Sequence, residues 1–306
     1  VILPAYQAQV ELLLRILPEV AVEQVFALKG GTAINLFVRE MPRFSVDIDL
    51  TYLPLNERTE ALQEIADALH RVKARLDKTI PGIVAQVVPQ SGGQDAKLIC
   101  RHQNSTVKVE VNTIIRGHLW TTRQMPLAQA TQNKFNKFVA TTVVSDAELF
   151  GGKICAALDR QHPRDLFDIH QLFEHQGLTD EIRLGFLVSL LSHSRPMHEL
   201  LRPQFQDRRA LFETQFAGMT VIPFAYEDFE AVRERLVGEI HAAFQDDDRA
   251  LLLSAKSGQP DWNLFPIAGL ENMPAVQWKL ANIQRLKKDA QKHAKQLRAL
   301  EEALVI

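Results

Sequence analysis

The chain has 306 residues, a formal net charge of −2, 46% apolar and 24% charged residues, and two cysteines. That length fits two domains, the apolar content excludes general disorder, and no apolar run approaches the roughly 20 residues that span a bilayer. Cys100 and Cys155 cannot build a disulfide framework, and VILPAYQAQVELLLRIL lacks a basic leader and a small-residue cleavage site, so a cytoplasmic setting without membrane contact is expected. In chain order, residues 6–17 place Val10, Leu13, Leu14 and Ile16 at helical spacing, and Pro18 should end that helix. The segment 26–40 begins as an apolar strand, turns at Gly30-Gly31 and continues as a helix. Residues 42–52 alternate with period two and read as a strand; 57–78 read as a helix ended by Pro81-Gly82. Further strands are expected at 83–89, 97–102 and 106–115, with Asn104-Ser105 as the turn between the last two.

From about residue 140 the texture becomes helical. Ser145 and Glu148 have the spacing of a capping box, predicting a helix over 146–160. Pro163 opens the next, over 164–176, and Gly177 stops it. Helices near 180–193, 204–217 and 227–244 follow, then a turn-rich connection at 257–262 and one long helix over 274–304. The expected organisation is an α+β domain over 1–140 and an all-helical domain over 141–306.

Asp47 and Asp49 stand two apart on a strand, so they share a face. Two adjacent carboxylates repel unless they share a cation, and Mg²⁺ binds through one or two carboxylates plus substrate phosphates. Glu110 is the candidate third carboxylate. Metal-assisted phosphoryl or nucleotidyl transfer is one reading; a solvated edge strand is the plainer one. Upstream, Gly30-Gly31-Thr32 opens a helix, where glycines allow close approach and a helix N-terminus favours phosphate. Thr32 would add a hydroxyl donor to the phosphate. The joint pattern, a phosphate-cradling turn followed by a DxD strand, is more specific than either part.

LKGGTAINLFVREMPRFSVDIDL and ELFGGKICAALDRQHPRDLFDIHQL resemble the AbiEii/AbiGii toxin family, within the DNA polymerase β-like nucleotidyltransferase superfamily, which includes the MenT-like toxins of toxin–antitoxin and abortive-infection systems. Thr32 stands where the superfamily usually has Ser. The resemblance implies a nucleotidyltransferase domain built on a small mixed sheet, with a helical domain contributing Lys and Asp residues to the site. It implies Mg²⁺, or Mn²⁺, as cofactor and an NTP as substrate. The implied acceptor is the tRNA 3′ end, and a cognate antitoxin controls the enzyme.

In the second block, Lys153 and Arg160 lie seven residues apart on one helix face. Lys153 would hold the triphosphate with Arg160, and Asp168, or else Asp165, would orient Lys153 or activate the acceptor. A surface salt-bridge group is the plainer alternative. Gly151-Gly152 inside a helix costs about 1 kcal/mol each relative to Ala, so a packing or ligand reason is expected. Residues 279–298 hold seven Lys and Arg against Asp289 alone, a local charge of +6 inside a chain of −2. A basic helix suits tRNA phosphates; a solvated helix face is the plainer reading. Three rivals remain: the same chemistry on a protein or small-molecule hydroxyl, a non-catalytic nucleotide-binding regulator, and a helical adaptor built from the C-terminal half. Neither the ten histidines nor the cysteines form a recognisable metal or catalytic pattern.

Overall fold

A computed structural model describes residues 3–89 and 95–305. The elements begin with α1 (Pro4–Ala21), β1 (Phe26–Lys29) and α2 (Gly30–Ala33), which runs on as a π-helical turn over Ile34–Val38. Then come β2 (Asp47–Tyr52), α3 (Arg58–Thr79), β3 (Val84–Pro89), β4 (Asp95–His102), β5 (Ser105–Asn112), β6 (Arg123–Pro126), α4 (Gln129–Phe135) and β7 (Ala140–Val143). Nine α-helices and two single 3₁₀ turns, Trp262–Leu264 and Leu270–Asn272, follow among the described residues. The α-helices are α5 (Asp146–Arg160), α6 (Pro163–His175), α7 (Asp180–Ser192), α8 (Met197–Leu201), α9 (Arg209–Gln215), α10 (Tyr226–Ala243), α11 (Asp246–Ser257), α12 (Pro274–Leu286) and α13 (Ala290–Leu304).

The chain divides into two compact units, one formed by residues 1–145 with 216–223, the other by 146–215 with 224–306. The first is α+β. Its seven strands form one mixed sheet in the order β3-β4-β5-β2-β1-β7-β6. β2 lies antiparallel to β1 and parallel to β5, while β7 runs parallel to β1. Alternation sorts the sheet into two faces. Ile48, Leu50 and Tyr52 with Val107, Val109, Val111, Leu98 and Cys100 make one apolar face, all buried. α3 packs on that face, tied by the Tyr52 hydroxyl to Glu64, and α1 packs beside it. Asp47 and Asp49 necessarily take the other face. The second unit is all helical among its described residues.

Several expectations change. Pro18 lies inside α1, which runs three residues further: the missing N–H removes one ladder bond close to the helix end, while the buried face of Leu13, Leu14, Ile16, Leu17 and Val20 still holds the last turn. Strand β2 starts at Asp47 rather than 42, because Pro42, Arg43 and Phe44 pair instead with residues 219–221. Strand β5 ends at Asn112, whose side chain accepts the Ile114 and Ile115 N–H groups and turns the chain. The β4–β5 loop is Gln103-Asn104, not Asn104-Ser105, since His102 pairs with Ser105 and Gln103 takes a left-handed φ of 51°. The expected 204–217 helix begins only at Arg209, whose N–H bonds Asp207 Oδ1. α11 was not expected, although Asp246, Asp247 and Asp248 stack negative charge in its first turn, a helix-start signal. The single 274–304 helix is two helices, because the Asp289 carboxylate accepts the Lys292 N–H and starts α13.

Candidate active site

In the first unit, the sheet register assembles the DxD. Asp49 is opposite Lys29 on β1 and Glu110 on β5; Asp47 is opposite Lys108. Both aspartates are half-buried. The turn Gly30-Gly31 is packed directly against them. Gly30 has φ +70°, and a Cβ there would fall 2.5 Å from Asp49 Oδ2, so glycine is required both by the backbone and by the carboxylate. The turn and the DxD are therefore one local structure. Two half-buried carboxylates on one strand face, beside a glycine turn, are a donor set suited to a Mg²⁺ that keeps waters or substrate oxygens among its ligands.

Two expected members behave differently. Thr32 is fully buried, and its hydroxyl is bonded to the Asp47 carbonyl and the Ser45 hydroxyl. It fixes the start of β2 instead of offering a donor to phosphate. Glu110 is ion-paired to Lys97 on the neighbouring strand β4. Among the described residues no group of three or more His, Cys, Asp or Glu side chains is placed to hold a metal, and Glu110 is engaged by Lys97 instead.

In the second unit, α5 and α6 bring the second block together. Lys153 Nζ lies 2.8 Å from Asp165 Oδ1 and 3.0 Å from Asp168 Oδ2. All three side chains are buried, at 6%, 2% and 0% exposure. Arg160, exposed at the end of α5, bonds Asp165 from Nε at 2.6 Å and from Nη2 at 3.1 Å. Burial alone would raise the Asp165 pKa; Lys153 and Arg160 outweigh it and hold the carboxyl below the usual range. His162, which carried no expected role, is the N-cap of α6: its Nδ1 accepts the Arg164 N–H at 3.1 Å. Burial, then the charge of Arg164, pushes its pKa down to about 4, which keeps the ring a neutral acceptor. Gly151 has a packing reason: a methyl there would overlap the Gly185 backbone on α7, whereas at Gly152 it would meet only Ser189 Oγ, at 4.0 Å.

These two clusters sit inside a recognisable family pattern. Residues 11–282 match the family model described as nucleotidyl transferase AbiEii toxin, type IV toxin–antitoxin system. The chain belongs to the AbiEii nucleotidyltransferase toxin family. Among solved structures it is similar to MenT4, a nucleotidyltransferase toxin from Mycobacterium tuberculosis H37Rv, at 16% identity and a TM-score of 0.60, covering 96% of this chain and 93% of that one. That likeness is one of fold. No match is found among curated protein sequences.

The basic C-terminal segment of this AbiEii member is smaller than its sequence suggests. Lys279 is buried, its ammonium bonded to the His193 and Arg195 carbonyls at 2.7 Å each, and burial pushes its pKa down to about 8. It holds α12 in place and faces no partner. Arg285, Lys287, Lys288, Lys292, Lys295 and Arg298 are all exposed and straddle the break between α12 and α13. Trp262 and Trp278 are not buried, unlike Phe265. Burial pushes the Cys100 thiol up to about 12 and raises Cys155 as well, which makes both poor nucleophiles. No helix among the described residues is long and apolar enough to cross a membrane.

Proposed function

We propose that this AbiEii toxin is a Mg²⁺-dependent nucleotidyltransferase that moves an NMP from an NTP to the 3′ end of tRNA in the cytoplasm, blocking translation until a cognate antitoxin intervenes. The observation that carries the reading is the Gly30 turn packed against Asp49, with Asp47 on the same face. Asp47 and Asp49 would hold the metal, which when bound offsets charge on the triphosphate and its leaving pyrophosphate. The Gly30-Gly31 backbone cradles phosphate oxygens at the start of α2. Thr32 keeps β2, and so both aspartates, in register with that turn. The acceptor hydroxyl attacks the α-phosphorus, the bond to the bridging oxygen breaks, and pyrophosphate leaves.

Lys153 supplies positive charge to the triphosphate, with Arg160 as the exposed second cation. Asp165, held ionised by two cations, orients Lys153 and is a poor collector of protons. Asp168 is the better candidate for the acceptor's proton. The exposed cations from Arg285 to Arg298 suit tRNA phosphates. Asp49→Ala and Lys153→Met should each abolish both growth arrest and label transfer from NTP to tRNA. Growth arrest that survives Asp49→Ala would instead support a non-catalytic regulator.

A further inference from the structure

The Gly30-Gly31 pair has two different causes. Gly30 is forced by its φ and by Asp49, but Gly31 has no left-handed φ. What excludes a side chain at Gly31 is Arg43. A Cβ there would fall 2.7 Å from Arg43 Nη2 and 2.9 Å from Ser45 Oγ. Arg43 is 2% exposed and is among the largest fully buried side chains in the chain. A guanidinium cannot shed its charge, so burying it costs several kcal/mol before its hydrogen bonds are counted. A fold that accepts this cost is holding something in place.

The surroundings indicate what is held. Arg43 Nη1 donates to the Phe44 carbonyl at 2.8 Å, while Nη2 is the guanidinium atom nearest Gly31. The Arg43 backbone is clamped in turn: it bridges Thr220, the Phe44 N–H donates to the Met219 carbonyl at 2.8 Å, and the Val221 N–H to the Pro42 carbonyl at 2.9 Å. The Gly31 carbonyl also accepts Asn35 Nδ2 at 2.9 Å. The turn is therefore held by a second side chain besides its contact with Arg43.

We propose that Arg43 is a positioning residue for the triphosphate: its guanidinium sets the Gly30-Gly31 turn in the shape that cradles the phosphates, and residues 219–221 hold Arg43 for that task. This rests on the NTP reading of the turn given above. Arg43 then acts on NTP binding, with little effect on the chemical step once NTP is bound.

The test measures equilibrium binding of each of the four NTPs with MgCl₂ to the full chain, and the KM and kcat of transfer to total tRNA. Arg43→Met should weaken binding of the preferred NTP and raise its KM by about tenfold, with kcat at saturation changed less than about threefold. Arg43→Lys should recover part of the loss. Gly31→Ala, which pushes the guanidinium aside without removing it, should weaken binding by a similar factor. Combined with Arg43→Met it should cost clearly less than the sum of the two, because the methyl then meets only the Ser45 hydroxyl. A fall in kcat with unchanged NTP affinity, or penalties that simply add, would overturn the proposal. If Arg43→Met does not fold, Gly31→Ala decides alone, and unchanged affinity overturns it. Failure of the unaltered chain to bind any NTP would instead bring down the NTP reading itself, and the proposal with it.

Discussion

Asp49 faces both the Gly30 turn and the side of the sheet that carries Asp47. Replacing its carboxylate with the amide in Asp49→Asn keeps the shape against Gly30 and removes the charge, so transfer should fall at least about a hundredfold with stability nearly unchanged. Transfer rate and thermal melting check this together. Asp165 behaves oppositely. Asp165→Asn leaves Lys153 buried but still paired with Asp168, so the loss should be about 1.5–3 kcal/mol in denaturant unfolding. The pH signs follow. The His162 pKa is depressed to about 4 from 6.5, so its contribution is full above pH 6.5 and is lost as pH falls toward 4. Asp165 is depressed below the ordinary Asp value of about 3.9, so its contribution is lost only further down. Stability should fall in two stages on acidification, and His162→Asn should shrink the upper one, to which His193 and His198, both depressed by burial, also contribute. The DxD was legible because spacing alone puts both groups on one strand face; in the second block spacing pairs Asp165 with Asp168 on α6, while their meeting with Lys153 depends on how α5 packs on α6. Arg43, Thr32 and the Glu110–Lys97 pair were not legible, since each depends on which neighbour the folded chain supplies. For Arg43 the available signal was a lone charge in the apolar run up to Asp47.

Elements carry their own tests. The α5–α7 crossing brings Gly151 onto the Gly185 backbone, while Gly152 faces space. Gly151→Ala should destabilise by about 1–3 kcal/mol or more, and Gly152→Ala should stabilise by about 0.5–1 kcal/mol. Calorimetry of the two variants separates packing from ligand approach as the reason for the pair. At the C-terminus, reversing Lys292, Lys295 and Arg298 to Glu should weaken tRNA binding and flatten its salt dependence, leaving NTP affinity unchanged. Lys279→Ala should instead lower stability, since its charge is spent on two carbonyls. Sequence periodicity located most of the longer helices, such as α3 and α7. It passed over the break before α13, where an exposed Asp289 caps a new helix inside an unbroken basic pattern. The four-residue strands β6 and β7 were also missed, being too short for alternation to register.

For the whole molecule, two units share the chemistry-bearing residues: the turn and DxD in the first, Lys153 and its two carboxylates in the second. The near-neutral total charge, uninformative at first, conceals the six exposed cations around the α12–α13 break. NMP transfer to tRNA is tested most directly by incubating the purified chain with total tRNA, Mg²⁺ and each α-labelled NTP in turn. Label is expected on the tRNA 3′ end from at least one NTP, abolished by Asp49→Asn and by Lys153→Met. Label found only on protein, or on no acceptor, would contradict transfer to tRNA.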